Sequence, residues 1–274
     1  MKKFIYILIA GLMLFSSCNH KDLCYIHREH AHKYHINLIA EYRYDWEECM
    51  GGINWQEEWP EHYIPYDDLR PDDPSGLRVV NYNKEGDYNI HNIKAEGGVI
   101  MLYEGLNDLL FYNNDTEYII FSRTNGASTR ATTRTRTRAD YKPSRFADPN
   151  ELTVSPPDML FANYHENFDF GEKTLDPVDF YTTLQPLVFS YYIRIPIKEG
   201  LKYVRKVGHT GDLSGVADGV NILNGETLNE AVTILFDNTE DYGYDVIKVT
   251  DWGIEAVVRS YGLPGYPNVN YPTR

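Results

Sequence analysis

The feature that most constrains the fold is a recurring pattern of short stretches in which apolar and polar residues alternate. In residues 34–44 the apolar side chains fall on every second position, from Tyr34 and Ile36 through Leu38 to Tyr42. A period of two is that of a half-buried β-strand, whereas an amphipathic helix repeats about every 3.6 residues. The sequence therefore predicts an all-β fold.

Similar strand patterns recur along the chain, and few helical patterns compete with them. They occur at residues 77–82, 88–93, 117–122, 187–197, 231–236 and 245–250. Tyrosine, which favours strands, accounts for 23 of the 274 residues. Short strands separated by turns are typical of β-sandwiches, and the length suits two domains of about 100–200 residues each. We expect two sandwiches in tandem, at residues 18–150 and 151–274.

Residues 124–145 break the strand pattern. They are rich in Asn, Gly, Ser, Thr and Arg, and Thr and Arg alternate in residues 133–138. A segment without apolar periodicity cannot contribute to a hydrophobic core. The sequence therefore predicts a loop or linker here, exposed to proteases that cut after arginine.

The first eighteen residues resemble a bacterial lipoprotein signal. Lys2 and Lys3 precede a short apolar run, and Ser16 and Ser17 stand directly before Cys18. The run is shorter than the ~20 apolar residues that span a membrane. We therefore expect residues 1–17 to be removed and Cys18 to be lipidated, which would tether the protein to a membrane. The alternative is an ordinary secretory signal in which Cys18 has no role.

The charge and the remaining cysteines narrow the class of protein further. The chain has 40 acidic and 26 basic residues, a formal charge of −14, which argues against binding to nucleic acid. With Cys18 lipidated, Cys24 and Cys49 remain, and two thiols in an exported protein are candidates for one disulfide. The sequence leaves open whether they pair.

Several clusters of side chains suggest binding sites without matching a known motif. Five histidines crowd together near the N-terminus, but their spacing fits no closed zinc motif: His20, His27, His30, His32 and His35. Acidic groups between residues 57 and 73 and at 237–241 lack the Ca²⁺ loop of an EF-hand. Trp55 and Trp59 lie among these acids and form a candidate glycan-binding platform, because aromatic rings offer flat apolar faces. Ordinary packing or solvated loops are the alternative in each case.

The sequence also lacks the common catalytic motifs. It has no nucleophile elbow, no phosphate-binding loop and no dinucleotide fingerprint. We therefore expect no catalytic residues, no metal and no cofactor, and we do not expect an enzyme.

Four segments carry a resemblance to a known family: SCNHKDLCY at 17–25, PPDM at 156–159, LVFSYYIRI at 187–195 and LSGVADGVN at 213–221. In these segments the chain resembles DUF5119, a lipoprotein family of gut and oral Bacteroidales that is similar to the anchor and accessory subunits of fimbriae. The resemblance spans most of the chain after Cys18.

This resemblance implies a fold, a location and a role. The fold would be two transthyretin-like (immunoglobulin-like) β-sandwiches, the second incomplete because the chain ends before the expected closing strands. The protein would be attached through Cys18 to the outer membrane, facing the cell exterior. It would act in fimbrial anchoring, assembly or adhesion by contacts with fimbrial subunits or with host or bacterial surface proteins, and a strand added to an open sheet edge is one such contact. A surface glycan-binding lipoprotein is the alternative.

We expect Cys18→Ala to abolish incorporation of labelled palmitate and to release the protein from membranes, because lipidation requires the Cys18 thiol. The measurement is metabolic labelling followed by fractionation, with Cys24→Ala as the matched control that keeps its label. Palmitate retained in Cys18→Ala would contradict the lipidation site.

Overall fold

The structure, a computed structural model, describes residues 34–44, 54–123, 129–139, 141–142, 150–174, 176–204, 209–238 and 246–266. Its regular elements are almost entirely strands, which confirms the all-β prediction. The strands are β1 His35–Tyr42, β2 Gly76–Asn83, β3 Tyr88–Lys94, β4 Gly97–Met101, β5 Leu106–Asn113, β6 Ile119–Arg123, β7 Thr129–Thr133, β8 Leu152–Val154, β9 Phe161–Asp169, β10 Val178–Pro186, β11 Phe189–Pro196, β12 Thr210–Ala217, β13 Gly219–Asn221, β14 Ala231–Asp237, β15 Ile247–Val249 and β16 Gly253–Ser260. The helices are the single turns α1 Trp55–Glu58 and α2 Tyr66–Leu69, with 3₁₀ turns at Pro60–His62 and Leu201–Tyr203.

Seven strands form a closed barrel in the order β1-β10-β9-β5-β2-β3-β4. Two of its joins are narrow: β9 and β10 share two residue pairs, and β3 and β4 share only Lys94 with Gly97. Gly97 has a φ of 122°, and a Cβ there would run into the carbonyl oxygen of Leu38, so this corner requires glycine. The barrel therefore resembles two sheets joined at two corners, around a core that includes Leu38, Leu77 and Phe111.

Strands β2 and β5 bury side chains on both faces. In β5, Leu109 and Phe111 point into the barrel, while Leu110 and Tyr112 point outward. The outward residues pack in a second core that also contains Val220 and Tyr261, and it receives side chains from the sheet β13-β7-β6. Both faces are covered because a second layer of strands lies on the barrel.

A third core lies between the two remaining sheets, β12-β14-β8 and β11-β16-β15. It contains Val154 of β8, Val232, Ile234 and Phe236 of β14, and Val258 of β16. These two sheets form a sandwich, which we call the C-terminal sandwich.

The sheet pairing does not follow the predicted division at residue 150. Strand β9 pairs with β5, and β10 pairs with β1 in parallel, so strands from both sides of residue 150 complete one barrel. The second core likewise joins Val80 to Tyr261. A cut at this position would separate strands that hydrogen-bond to each other.

The prediction of a loop without core contacts is wrong for the middle of the Thr/Arg-rich segment. Residues Thr129–Thr133 form β7, in which Thr129 and Ala131 are fully buried. Farther along, Arg136 Nη2 lies 2.9 Å from Asp237 Oδ1, and both side chains are at least nine-tenths buried. The physical reason is that Thr packs well on a pleated surface and that Arg can be buried when it is paired. Residues 124–128, 140 and 143–149 lie outside the described residues.

We expect Arg136→Ala to lower the free energy of unfolding by about 3–5 kcal/mol, because it removes the buried ion pair with the Asp237 carboxylate. The matched control is Arg134→Ala, an exposed arginine whose guanidinium lies over the Tyr118 ring, with an expected loss of about 1 kcal/mol or less. Urea unfolding of both variants measures the difference. Equal losses would contradict the burial of Arg136.

Candidate interaction surface

The cysteines singled out from the sequence lie outside the described residues. These are Cys18, Cys24 and Cys49, so the lipidation site and the disulfide stay predictions. The same holds for four of the five clustered histidines, and only His35 is described, at the start of β1.

The structure does not bring Trp55 and Trp59 together as an exposed platform. Trp55 begins α1 and is 5 % exposed, with its ring packed against Tyr63 and Tyr192 at centroid distances of 5.8 and 6.1 Å. Trp59 is 38 % exposed. A glycan stacks on an open aromatic face, so the buried ring of Trp55 cannot form part of a glycan-binding platform. The packing alternative is the correct one for Trp55.

Arg194 of β11 holds Trp55 in place. Its guanidinium carbon lies 4.8 Å from the Trp55 ring centroid and 4.4 Å from that of Trp252. Arg194 Nη2 lies 2.6 Å from Glu255 Oε1, and Arg194 also donates to the carbonyl oxygen of His62. Cation–π contacts and a shielded ion pair therefore fix the segment around α1 on one face of the sheet β11-β16-β15.

Tyr192 belongs to the same covered face. Burial, followed by the nearby Glu255 carboxylate, raises the pKa of Tyr192 to about 12. The phenol is therefore neutral over the whole physiological range, and this face carries no titratable switch at Tyr192.

The opposite face of β11 is apolar and only partly covered. Tyr191, Ile193 and Ile195 are 39 %, 37 % and 51 % exposed. The register pairs them with Val258, Ala256 and Ile254 of β16, which pack in the third core. Residues directly opposite in an antiparallel pair share a face, so the three β11 side chains lie on the core side of the sheet but beyond its cover.

Strand β11 is also an edge. In the described part of the chain it pairs with β16 alone, so its other side presents unpaired N–H and C=O groups. Pro196, which has no N–H, ends the strand. We call strand Phe189–Pro196 with its exposed Tyr191, Ile193 and Ile195 the β11 edge. An edge of this kind can accept an added strand by backbone hydrogen bonds while its side chains are covered.

The strand pattern predicted β11 from the sequence, but it gave no sign that the strand is an edge. Its apolar residues read as ordinary core positions, because alternation does not show which partner covers a face. The unpaired side becomes visible only when the order of the strands is known.

Two other properties of the described residues bear on function. None of their helices is long and apolar enough to cross a membrane. The described side chains also contain no group of three or more His, Cys, Asp or Glu arranged to hold a metal ion.

A family model matches residues 65–237, and its description is Domain of unknown function (DUF5119). The chain belongs to the DUF5119 family. The match covers β2 to β14, and so it includes the β11 edge. No curated protein matches this DUF5119 chain.

Solved structures that match this chain include proteins from Bacteroidales. A "putative adhesin" from Bacteroides ovatus is 19 % identical and has a TM-score of 0.56, over 94 % of this chain and 74 % of that one. A second such protein from Bacteroides ovatus is 7 % identical, with a TM-score of 0.44 over 83 % and 68 %. A fimbrial assembly protein from Parabacteroides distasonis is 10 % identical, with a TM-score of 0.29 over 87 % and 86 %. At these identities the first likeness shows the shared fold.

We expect Trp55→Ala to lower the free energy of unfolding by about 3–5 kcal/mol, because it empties the space between Arg194 and Tyr192. Trp59→Ala is the matched control, with an expected change of about 0.5 kcal/mol, as for other surface positions. Urea unfolding measures both. A Trp55→Ala variant as stable as Trp59→Ala would contradict the packing role.

Proposed function

We propose that this DUF5119 protein is a lipid-anchored cell-surface protein that works in fimbrial anchoring, assembly or adhesion through contacts with other proteins. The observation that carries the proposal is the β11 edge, a strand with one unpaired side in the described part of the chain, whose core-side residues Tyr191, Ile193 and Ile195 are partly exposed. The partner is a fimbrial subunit or another surface protein that offers an extended segment.

The family and the fold support the surface role. The chain shares its fold, along 94 % of its length, with the "putative adhesin" from Bacteroides ovatus. Because one fold hosts many functions, the fold supports the class of protein, and the specific contact must come from the site. The β11 edge supplies that site.

An incoming strand would add to β11 by β-augmentation. Its backbone would pair with the free N–H and C=O groups of β11, and alternate side chains would cover Ile193 and its two neighbours on the same face. Full burial of a side chain such as Ile contributes about 1.5–3 kcal/mol. Three half-exposed apolar side chains and the backbone hydrogen bonds together support a specific contact, although the free energy that each of them contributes is modest.

The anchor and the location complete the proposal. Lipid at Cys18 would hold the protein on the outer membrane with the described sheets facing the cell exterior. More than one acyl chain is needed for a stable anchor. We assign no catalytic residue, because the proposed activity consists of binding alone.

The finer fold assignment is part of the same proposal. We infer that the barrel and the C-terminal sandwich are the two transthyretin-like units expected from the family resemblance. The two narrow joins of the barrel support this, because they leave it close to a pair of packed sheets. The two units would then not be divided by one cut in the sequence, because β8 of the C-terminal sandwich precedes β9 and β10 of the barrel.

A photo-crosslinking amino acid placed at Ile195 of the full chain, in the producing bacterium, tests the β11 edge. We expect one adduct whose partner peptide comes from an extended segment of a surface protein, because that segment would lie against the exposed Ile195 side chain. Mass spectrometry identifies the peptide. The matched control carries the same group at Val99, an aliphatic strand residue that is 55 % exposed on the barrel.

Two outcomes would contradict the proposed contact. The first is no adduct at Ile195, and the second is the same adducts at Ile195 and Val99. As a further check, Ile193→Lys should reduce the Ile195 adduct by about tenfold or more, because it places a charge in the contact. Val99→Lys should leave that adduct unchanged.

A further inference from the structure

The hydrogen bonds of the C-terminal sandwich show which backbone groups of the β11 edge point to its unpaired side. The N–H of Ile197 donates to the carbonyl oxygen of Trp252, and this pair continues the β11–β16 register by one step. Hydrogen-bonded and non-hydrogen-bonded pairs alternate along an antiparallel ladder. The odd-numbered residues of β11 therefore bond to β16, and the N–H and C=O groups of Ser190, Tyr192 and Arg194 point away from it.

Two neighbouring residues agree with this assignment. Val257, which lies opposite Tyr192, donates its N–H to Val246 and not to β11. Pro196 takes the next position on the unpaired side, where its missing N–H leaves no bond to β16 unmade. The unpaired side thus offers one donor and one acceptor at each of three residues, and it ends at a proline.

An antiparallel second copy of β11 fits this side in one register. If Tyr192 lies opposite its own counterpart, Ser190 lies opposite Arg194, and every N–H and C=O group on the unpaired side is bonded. A shift by two residues places Ser190 opposite Pro196, which has no N–H for the Ser190 carbonyl. The opposite shift places Arg194 against Val188, which is buried and precedes the strand.

The same register matches the side chains on the partly exposed face. Tyr191 lies opposite Ile193 of the second copy, and Phe189 lies opposite Ile195. Tyr191, Ile193 and Ile195 each expose more than a third of their surface, so a partner strand has apolar area to cover. Pairs of an aromatic and a β-branched residue stabilise antiparallel sheets. The β11 edge is therefore complementary to itself.

Like charges do not meet in this register. Arg194 lies opposite the uncharged Ser190, and its own charge is paired with Glu255 at 2.6 Å. A contact that uses the same patch on both copies closes at two subunits. We propose that two copies of the chain pair their β11 edges antiparallel, about a two-fold axis at Tyr192, when no other strand occupies the edge.

Self-pairing rests on the open β11 edge of the proposed function and regulates it. A strand from a fimbrial subunit or another surface protein competes with the second copy for the same backbone groups, so only the monomer accepts it. Because association is costly and the paired strand is short, we expect a dissociation constant on the order of 0.1 mM. The edge is then open in dilute protein, and a partner strand can displace the second copy.

Disulfide trapping in the purified full chain tests the register, with Cys24→Ser and Cys49→Ser in every sample. One sample carries Tyr191→Cys, another carries Ile193→Cys, and a third mixes the two. Opposite residues lie within bridging range, whereas diagonal neighbours are about 7–8 Å apart, so we expect about fivefold more disulfide-linked dimer in the mixture than in either variant alone. Ile193→Cys mixed with Val99→Cys, on an exposed barrel strand, is the matched control and should give background only.

Hydrogen exchange of the unmodified chain is a second test, which requires no substitution to be tolerated. Well below the dissociation constant, the amides of Ser190, Tyr192 and Arg194 should exchange as in an open edge. At about ten times the dissociation constant they should exchange about fivefold more slowly, because most copies are then paired. The odd-numbered amides of β11 should not change.

Three results would overturn the self-pairing. They are equal dimer yields in the mixture and the single variants, a mixture no better than the Val99→Cys control, and exchange at the three amides that does not depend on concentration. A chain that fails these tests but still forms the Ile195 adduct in the bacterium leaves the proposed function standing. Trapped dimers without that adduct would contradict the proposed function alone.

Discussion

The burial of β2 and β5 on both faces is the constraint on which the rest of the structure depends. Leu77 and Leu109 fill the barrel, while Val80 and Leu110 fill the second core on the other side of the same strands. Apolar side chains on both faces require a cover on both sides. The chain after residue 113 supplies the second cover with β6, β7 and β13, and this ties early and late parts of the sequence into one stack of layers.

The position of the β11 edge follows from this stack. The second layer brings β13 and β7 together on the outer face of the barrel. In the C-terminal sandwich, side chains of β16 pack in the third core, but the apolar side chains of β11 in the same sheet lie at its margin and are partly exposed. One face of β11 is closed by Arg194 and Trp55, so only the face with Ile193 remains open. The same strand is therefore stabilised on one side and available on the other.

The sequence was sufficient to predict the strands in which one face is apolar and the other is polar. Alternation in β1 correctly predicted Ile36 and Leu38 as core residues, and the pattern at 187–197 correctly located β11. It was insufficient for β5, whose two buried faces leave an uneven apolar run, and for β7, where Thr takes the inward positions. The burial of Trp55 depends on Arg194, about 140 residues away in sequence, and pairing over that distance leaves no local signal.

Amide hydrogen exchange resolved by residue tests most directly whether β11 is an open edge. The account predicts that alternate amides of β11, those that point away from β16, exchange nearly as fast as in an open chain. The amides of β16 residues 254–257, where β11 lies on one side and β15 with Val246 on the other, should be protected. Uniform protection along β11 would contradict the account, because it would mean that another part of the chain already covers the edge.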